Sequence, residues 1–167
     1  MIKIVKEATF RKGIIQSAKN VGPTVFAQSI ETGTGSGIPD LFYCNNGYSA
    51  WLELKVTQGR QNYMRVSQWS WFRALHKAHG VALLLIRRQN QAKEMDICDV
   101  FSIKELGYEG RLLDSSFKKE DVIFPPNLRH YTIDMTYGWA SFHKRMNDIL
   151  KKEYEDLLKR FKEVKND

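Results

Sequence analysis

Two acids and a lysine in this sequence have the types and spacing to do chemistry: Asp40, behind Pro39, and the run Glu53-Leu54-Lys55. Between them, Leu41-Phe42-Tyr43-Cys44 and Ser49-Ala50-Trp51-Leu52-Glu53-Leu54-Lys55-Val56 read as strands on either side of Asn45-Asn46-Gly47-Tyr48. Asn-Gly is a strong hairpin signal, because both turn positions need positive φ. If Asn46-Gly47 forms the turn, Asn45 pairs with Tyr48, paired numbers keep a constant sum, and Asp40 falls opposite Glu53. Cross-strand partners have Cβ atoms about 4.5–5.5 Å apart, near enough for both carboxylates to hold one divalent cation. Side chains alternate along a strand, so Lys55 shares the face of Glu53 while Leu52, Leu54 and Val56 point into the opposite layer.

That constellation suits hydrolysis of a phosphodiester. The reaction needs a nucleophilic water, charge relief on the phosphate and protonation of a leaving oxygen, and Mg²⁺ can assist each. Hard cations take oxygen ligands, so Asp40, Glu53 and a main-chain carbonyl, that of Leu54, suffice without His or Cys. Lys55 can hold the water or neutralise the phosphate. The alternative is a turn at Pro39-Asp40 followed by a solvated polar ladder on an ordinary strand.

The elements that must position these residues are legible in outline. Glu7 to Asn20 carries Phe10, Ile14 and Ile15 at helical spacing and stops before Gly22-Pro23. Thr24 to Ile30 reads as a strand, and the Gly-rich stretch from Gly33 to Gly37, with Ser36, opens a loop ahead of Pro39. Ser67 to His79 predicts a helix with Trp71, Phe72, Leu75 and Ala78 on its apolar side and Gly80 as its stop. Val81 to Ile86 and Met95 to Phe101 read as strands, with Ser102 capping a short helix through Leu106. Leu112 to Tyr131 shows no regular pattern, and Trp139 to Val164 carries one apolar stripe on a long helix. The order α-β-β-β-α-β implies an α/β fold, a central mixed β-sheet flanked by helices. We expect one domain, with a core over residues 1–106 and a C-terminal extension over 107–167.

Lys and Arg outnumber Asp and Glu by 26 to 19 in 167 residues, a net charge of +7 that favours a polyanionic partner. A basic surface kept for solubility accounts for the same balance. The longest strongly apolar run, Val81 to Ile86, cannot span a bilayer, and the charged start lacks a signal-peptide core, which predicts a cytoplasmic protein. Cys44 and Cys98 stand far apart without a second pair or a His at ligand spacing, so neither a zinc site nor a disulfide framework is indicated.

On these residues the chain resembles the PD-(D/E)xK nuclease superfamily, in particular the branch containing archaeal Holliday-junction resolvases and VRR-NUC nucleases. Gly37-Ile38-Pro39-Asp40-Leu41 is similar to that branch's Gly-x-Pro-Asp-Leu, and Trp51-Leu52-Glu53-Leu54-Lys55 to its hydrophobic strand ending in Glu-x-Lys. The resemblance implies a restriction-endonuclease-like core, DNA cleavage with Mg²⁺ or Mn²⁺, and a dimer or tetramer. It also implies that Glu7 completes the metal site, although a helix dipole favours a first-turn Glu without any function. Ser67-Gln68 with Trp71 resembles the branch's Gln-x-x-aromatic helix, which would bring Gln68 to a water or phosphate; a polar residue on the helix's exposed side is the alternative. Arg60, Arg65, Arg73, Lys77, Arg87 and Arg88 follow the Glu-x-Lys strand and are candidate phosphate contacts, with Ser36 in the loop where DNA would approach. Within enzymes, a homing or restriction-like endonuclease and a junction resolvase both fit; outside them, a DNA-binding module on a nuclease fold does.

Overall fold

The computed structural model describes residues 5–30, 37–90, 95–104, 106, 121–124 and 127–164. Helix α1 (Glu7–Val21) leads into β1 (Val25–Ser29), the hairpin β2 (Leu41–Asn45) and β3 (Tyr48–Thr57), and a short β4 (Asn62–Arg65). Helix α2 (Val66–Lys77) then crosses to β5 (Ala82–Asn90), followed by β6 (Met95–Ser102), β7 (Asp121–Phe124) and β8 (Tyr131–Asp134). A 3₁₀ turn (Met135–Tyr137) joins β8 to α3 (Gly138–Val164).

Six strands form one mixed sheet in the order β1-β2-β3-β5-β6-β8, and β4 pairs with β7 in a separate ribbon. Only the β3–β5 pairing is parallel among these neighbours, the one that α2 connects, as a crossover requires. Alternation then sorts side chains into two layers. Leu52, Leu54, Leu83 and Leu85 pack with Phe10 and Ile14 of α1 and Phe142, Met146 and Ile149 of α3. Leu84 and Ile86 pack on the other face with Phe72 of α2, Met64 of β4 and Val122 and Phe124 of β7. Helices therefore cover both faces of the mixed sheet, the α/β arrangement expected from the sequence.

The hairpin turns on Asn46 and Gly47, with φ of 49° and 85°, the positive pair of a type I′ turn. Asn45 pairs with Tyr48 and Leu41 with Leu52, which is the expected register. Two strands depart from the sequence reading. β4 went unrecognised and β7 lies inside the stretch read as irregular, because each has four residues and they pair with one another across 56 or more positions. β5 also runs past Ile86 through Arg87 and Arg88, charges that a buried strand tolerates only when paired.

Candidate metal-binding site

β2 stops one residue short of the site, and the way it stops builds the site. In the hairpin, hydrogen-bonded pairs alternate from Asn45–Tyr48 through Tyr43–Ala50 to Leu41–Leu52, so Pro39 would be the next partner of Leu54. Proline has no N–H to give, so the Leu54 carbonyl loses its ladder donor. The Leu54 N–H instead donates to Asp40 Oδ2 at 2.8 Å. This bond fixes the Asp40 carboxylate at the end of β2, where the register continues it opposite Glu53. Gly37 lets the incoming chain pack closely: its φ is +100°, and a Cβ there would lie 2.5 Å from the Ser67 carbonyl oxygen.

Glu53 is 1% exposed and Lys55 6%. Lys55 Nζ donates to Glu53 Oε1 at 2.5 Å and lies 3.4 Å from the Leu54 carbonyl. Gln68 Nε2 donates to the same Glu53 oxygen at 2.5 Å, while its own Oε1 accepts the Arg65 N–H at 3.0 Å across the first turn of α2. The helix start thus aims Gln68 at the Glu53 carboxylate. Burial pushes the Glu53 carboxyl up to about 7, and the Asp40 and Glu7 charges add to the rise while Lys55 opposes it. For Lys55, burial works to lower the ammonium's pKa, but the charge and hydrogen bond of Glu53 more than reverse it, so it is raised.

The second Glu53 oxygen, Oε2, is buried without a hydrogen-bond partner among the described residues. A buried carboxylate oxygen is ordinarily satisfied, because leaving it bare costs desolvation with no return. Together with Asp40 and the Leu54 carbonyl, it makes an all-oxygen donor set of the kind a hard divalent cation takes. The residues present therefore fit such an ion. They do so without a ready cluster, since no three His, Cys, Asp or Glu side chains converge among the described residues. Glu7, exposed in the first turn of α1, acts electrostatically on both Glu53 and Lys55. It also lines an open cleft of about 830 Å³ with Val56, Thr57, Gly59 and Arg60.

Arg11 was missed in the sequence. Its guanidinium lies 3.7 Å from Asp40 Oδ1, and its spacing of four from Glu7 on α1 was the available signal.

The basic residues divide into two groups. Arg60, Arg65, Arg73 and Lys77 are exposed, as phosphate contacts must be, and Arg73 also sits over the Trp69 ring at 4.7 Å. Arg87 and Arg88, expected beside them, are occupied elsewhere, which corrects their assignment. Arg88 is buried, donating to Asp99 at 2.6 Å, to the Gly59 and Gln61 carbonyls and to Asn62 Oδ1. Arg87 makes a two-point bond to Asp96 at 2.8 and 2.5 Å and lies over the Phe10 ring. Asp96 and Asp99 of β6 are thus the counter-charges of these two arginines. Ser36 lies outside the described residues.

No family model and no curated protein matches this sequence. A solved structure, that of Hjc, a Holliday junction resolvase from the archaeal hyperthermophile Archaeoglobus fulgidus, is similar in chain path. The two share 11% identity with a TM-score of 0.46, over 77% of this chain and 88% of that one. At that level the functional reading rests on the side chains of the site itself. No helix among the described residues is long and apolar enough to cross a membrane.

Proposed function

We propose that the protein is a divalent-metal-dependent DNA endonuclease, with Mg²⁺ or Mn²⁺ held by Asp40, Glu53 and the Leu54 carbonyl and assisted by Glu7. The observation that carries this reading is the buried Glu53 oxygen without a partner, on the face to which Asp40 and Lys55 also belong. The bound ion would supply charge relief on the phosphate and a more acidic water. Lys55, already held at the carboxylate, brings a positive charge and donors to the attacking water or to a phosphate oxygen. Gln68 fixes the Glu53 carboxylate from one side, so that its free oxygen keeps one direction. Arg60, Arg65, Arg73 and Lys77 would neutralise phosphates around the cut, with Ser36 as a further candidate DNA contact. Assembly as a dimer or tetramer belongs to the same proposal, since cutting two strands calls for two such sites.

Incubation with duplex, branched and single-stranded DNA in Mg²⁺ or Mn²⁺ tests this. Cleavage should appear on at least one substrate and fall about a hundredfold or more in Asp40→Asn. DNA binding without Asp40-dependent cleavage on any of them would instead identify a non-catalytic module.

A further inference from the structure

The face that carries the carboxylates continues away from them as a row of aromatic rings. On β2, Phe42 lies two residues from Asp40 and therefore on the same side; on β3, Trp51 stands likewise to Glu53, and the two residues pair across the ladder. Their rings are 5.5 Å apart, edge to face. Outward, Phe26 of β1 reaches Phe42 at 6.4 Å; inward, Trp71 of α2 meets Trp51 at 5.4 Å. α2 reaches this face through Gln68 on Glu53 and, one turn later, Trp71 on Trp51. Beyond that wall Phe42 and Trp51 are half-buried and Phe26 is 51% exposed. Gln28, Cys44 and Ser49 share this face by register, and its acids are Glu53, the only one on β1, β2 or β3, and Asp40 just before β2.

Building on the nuclease reading, we propose that this row is a stacking platform for unpaired bases beside the scissile phosphate. The substrate is then DNA with a single-stranded segment, such as a flap, a branch or a free strand, in preference to continuous duplex. The reason is geometric: a backbone crossing the metal-binding row places its adjacent nucleotides over the aromatic row, two strand positions away on the same face. Bases already stacked in a duplex offer these rings no free π-surface, whereas unpaired bases stack on them regardless of sequence. Away from Glu53 and Asp40 these strands carry no acid to repel a phosphate backbone, which in a chain of net charge +7 favours a polyanion at that face. Its aromatic and polar make-up fits bases, which offer a π-face and polar edges, more closely than it fits an aliphatic protein surface.

Anisotropy of a labelled thymidine oligonucleotide, a blunt duplex and the same duplex with a flap, all in EDTA, tests the platform without chemistry. Wild-type protein should prefer the flap and the single strand. Phe26→Ser should weaken both about fivefold or more while leaving the duplex within about twofold, and Phe26→Trp should restore binding. Equal loss on all three DNAs, or no loss, overturns the proposal. So does a dimer in sedimentation that Phe26→Ser dissociates while DNA preference stays unchanged, which would give the face to a second copy of the chain. Parallel cleavage in Mg²⁺ separates the two readings. Phe26-dependent flap binding without Asp40-dependent cleavage sinks the nuclease and keeps the platform; cleavage without a Phe26-dependent preference does the reverse.

Discussion

Lys55 and Arg88 are both buried cations on neighbouring strands, each bonded to a carboxylate, yet their substitution should have different consequences. Lys55 faces an acid with a second oxygen left open, so Lys55→Met should abolish cleavage, lowering it about a hundredfold or more. Arg88 is buried and commits four of its five donors to Asp99, Asn62 and two carbonyls, which turns it inward and away from a substrate. Arg88→Ala should cost about 3–5 kcal/mol of stability in urea unfolding, because it takes the guanidinium from the buried Asp99 Oδ2 while Thr132 and His130 hold only the other oxygen. The exposed Arg60, in contrast, should change stability by less than about 0.5 kcal/mol as alanine and lower the salt slope of DNA binding by about one. At this scale the sequence revealed the acids and Lys55 through period-two spacing. It could not separate Arg88 from Arg60, since both read simply as basic residues until Asp99 was placed across the β5–β6 ladder.

At the scale of elements, the hairpin and the start of α2 do the positioning. Asn46-Gly47 set the register from two residues, which is why it could be read without a structure. The close approach of Gly37 to Ser67 could not be, since it depends on where α2 begins in space. Gly37→Ala meets both a positive φ and the Ser67 carbonyl, so it should displace the Pro39-Asp40 turn. Cleavage should fall at least tenfold in that variant, beyond what about 1–2 kcal/mol of left-handed strain does to stability. Melting and activity measured on the same sample check this. The β4–β7 ribbon escaped the sequence because a four-residue strand carries almost no periodicity, and its partner's distance along the chain hides the pairing.

For the whole molecule, a buried polar cluster ties the C-terminal helix to the sheet. His143 of α3 bonds Ser17 of α1 through Nε2 at 2.7 Å and Tyr43 of β2 through Nδ1 at 2.8 Å, and Asn45 donates to its carbonyl. Burial lowers the imidazole to about 4 from an ordinary 6.5. The folded protein therefore keeps His143 neutral where the unfolded chain would protonate it. Stability is unaffected by this group above about pH 6.5 and falls as pH drops towards about 4, by roughly 3 kcal/mol in all. The difference in unfolding free energy between wild type and His143→Gln, followed from pH 7 to pH 4, should shrink by that amount. The long helix was legible from its apolar stripe, but its anchoring was not, because an isolated histidine in a sequence gives no sign of its partners.

Calorimetric titration of the full chain with Mn²⁺ tests most directly the claim that Asp40 and Glu53 form one cation site. A single site is expected, weakened at least tenfold by Asp40→Asn and by Glu53→Gln, with the double variant little worse than either, while Asp134→Asn on the surface changes nothing. Unchanged Mn²⁺ affinity in both single variants would contradict it.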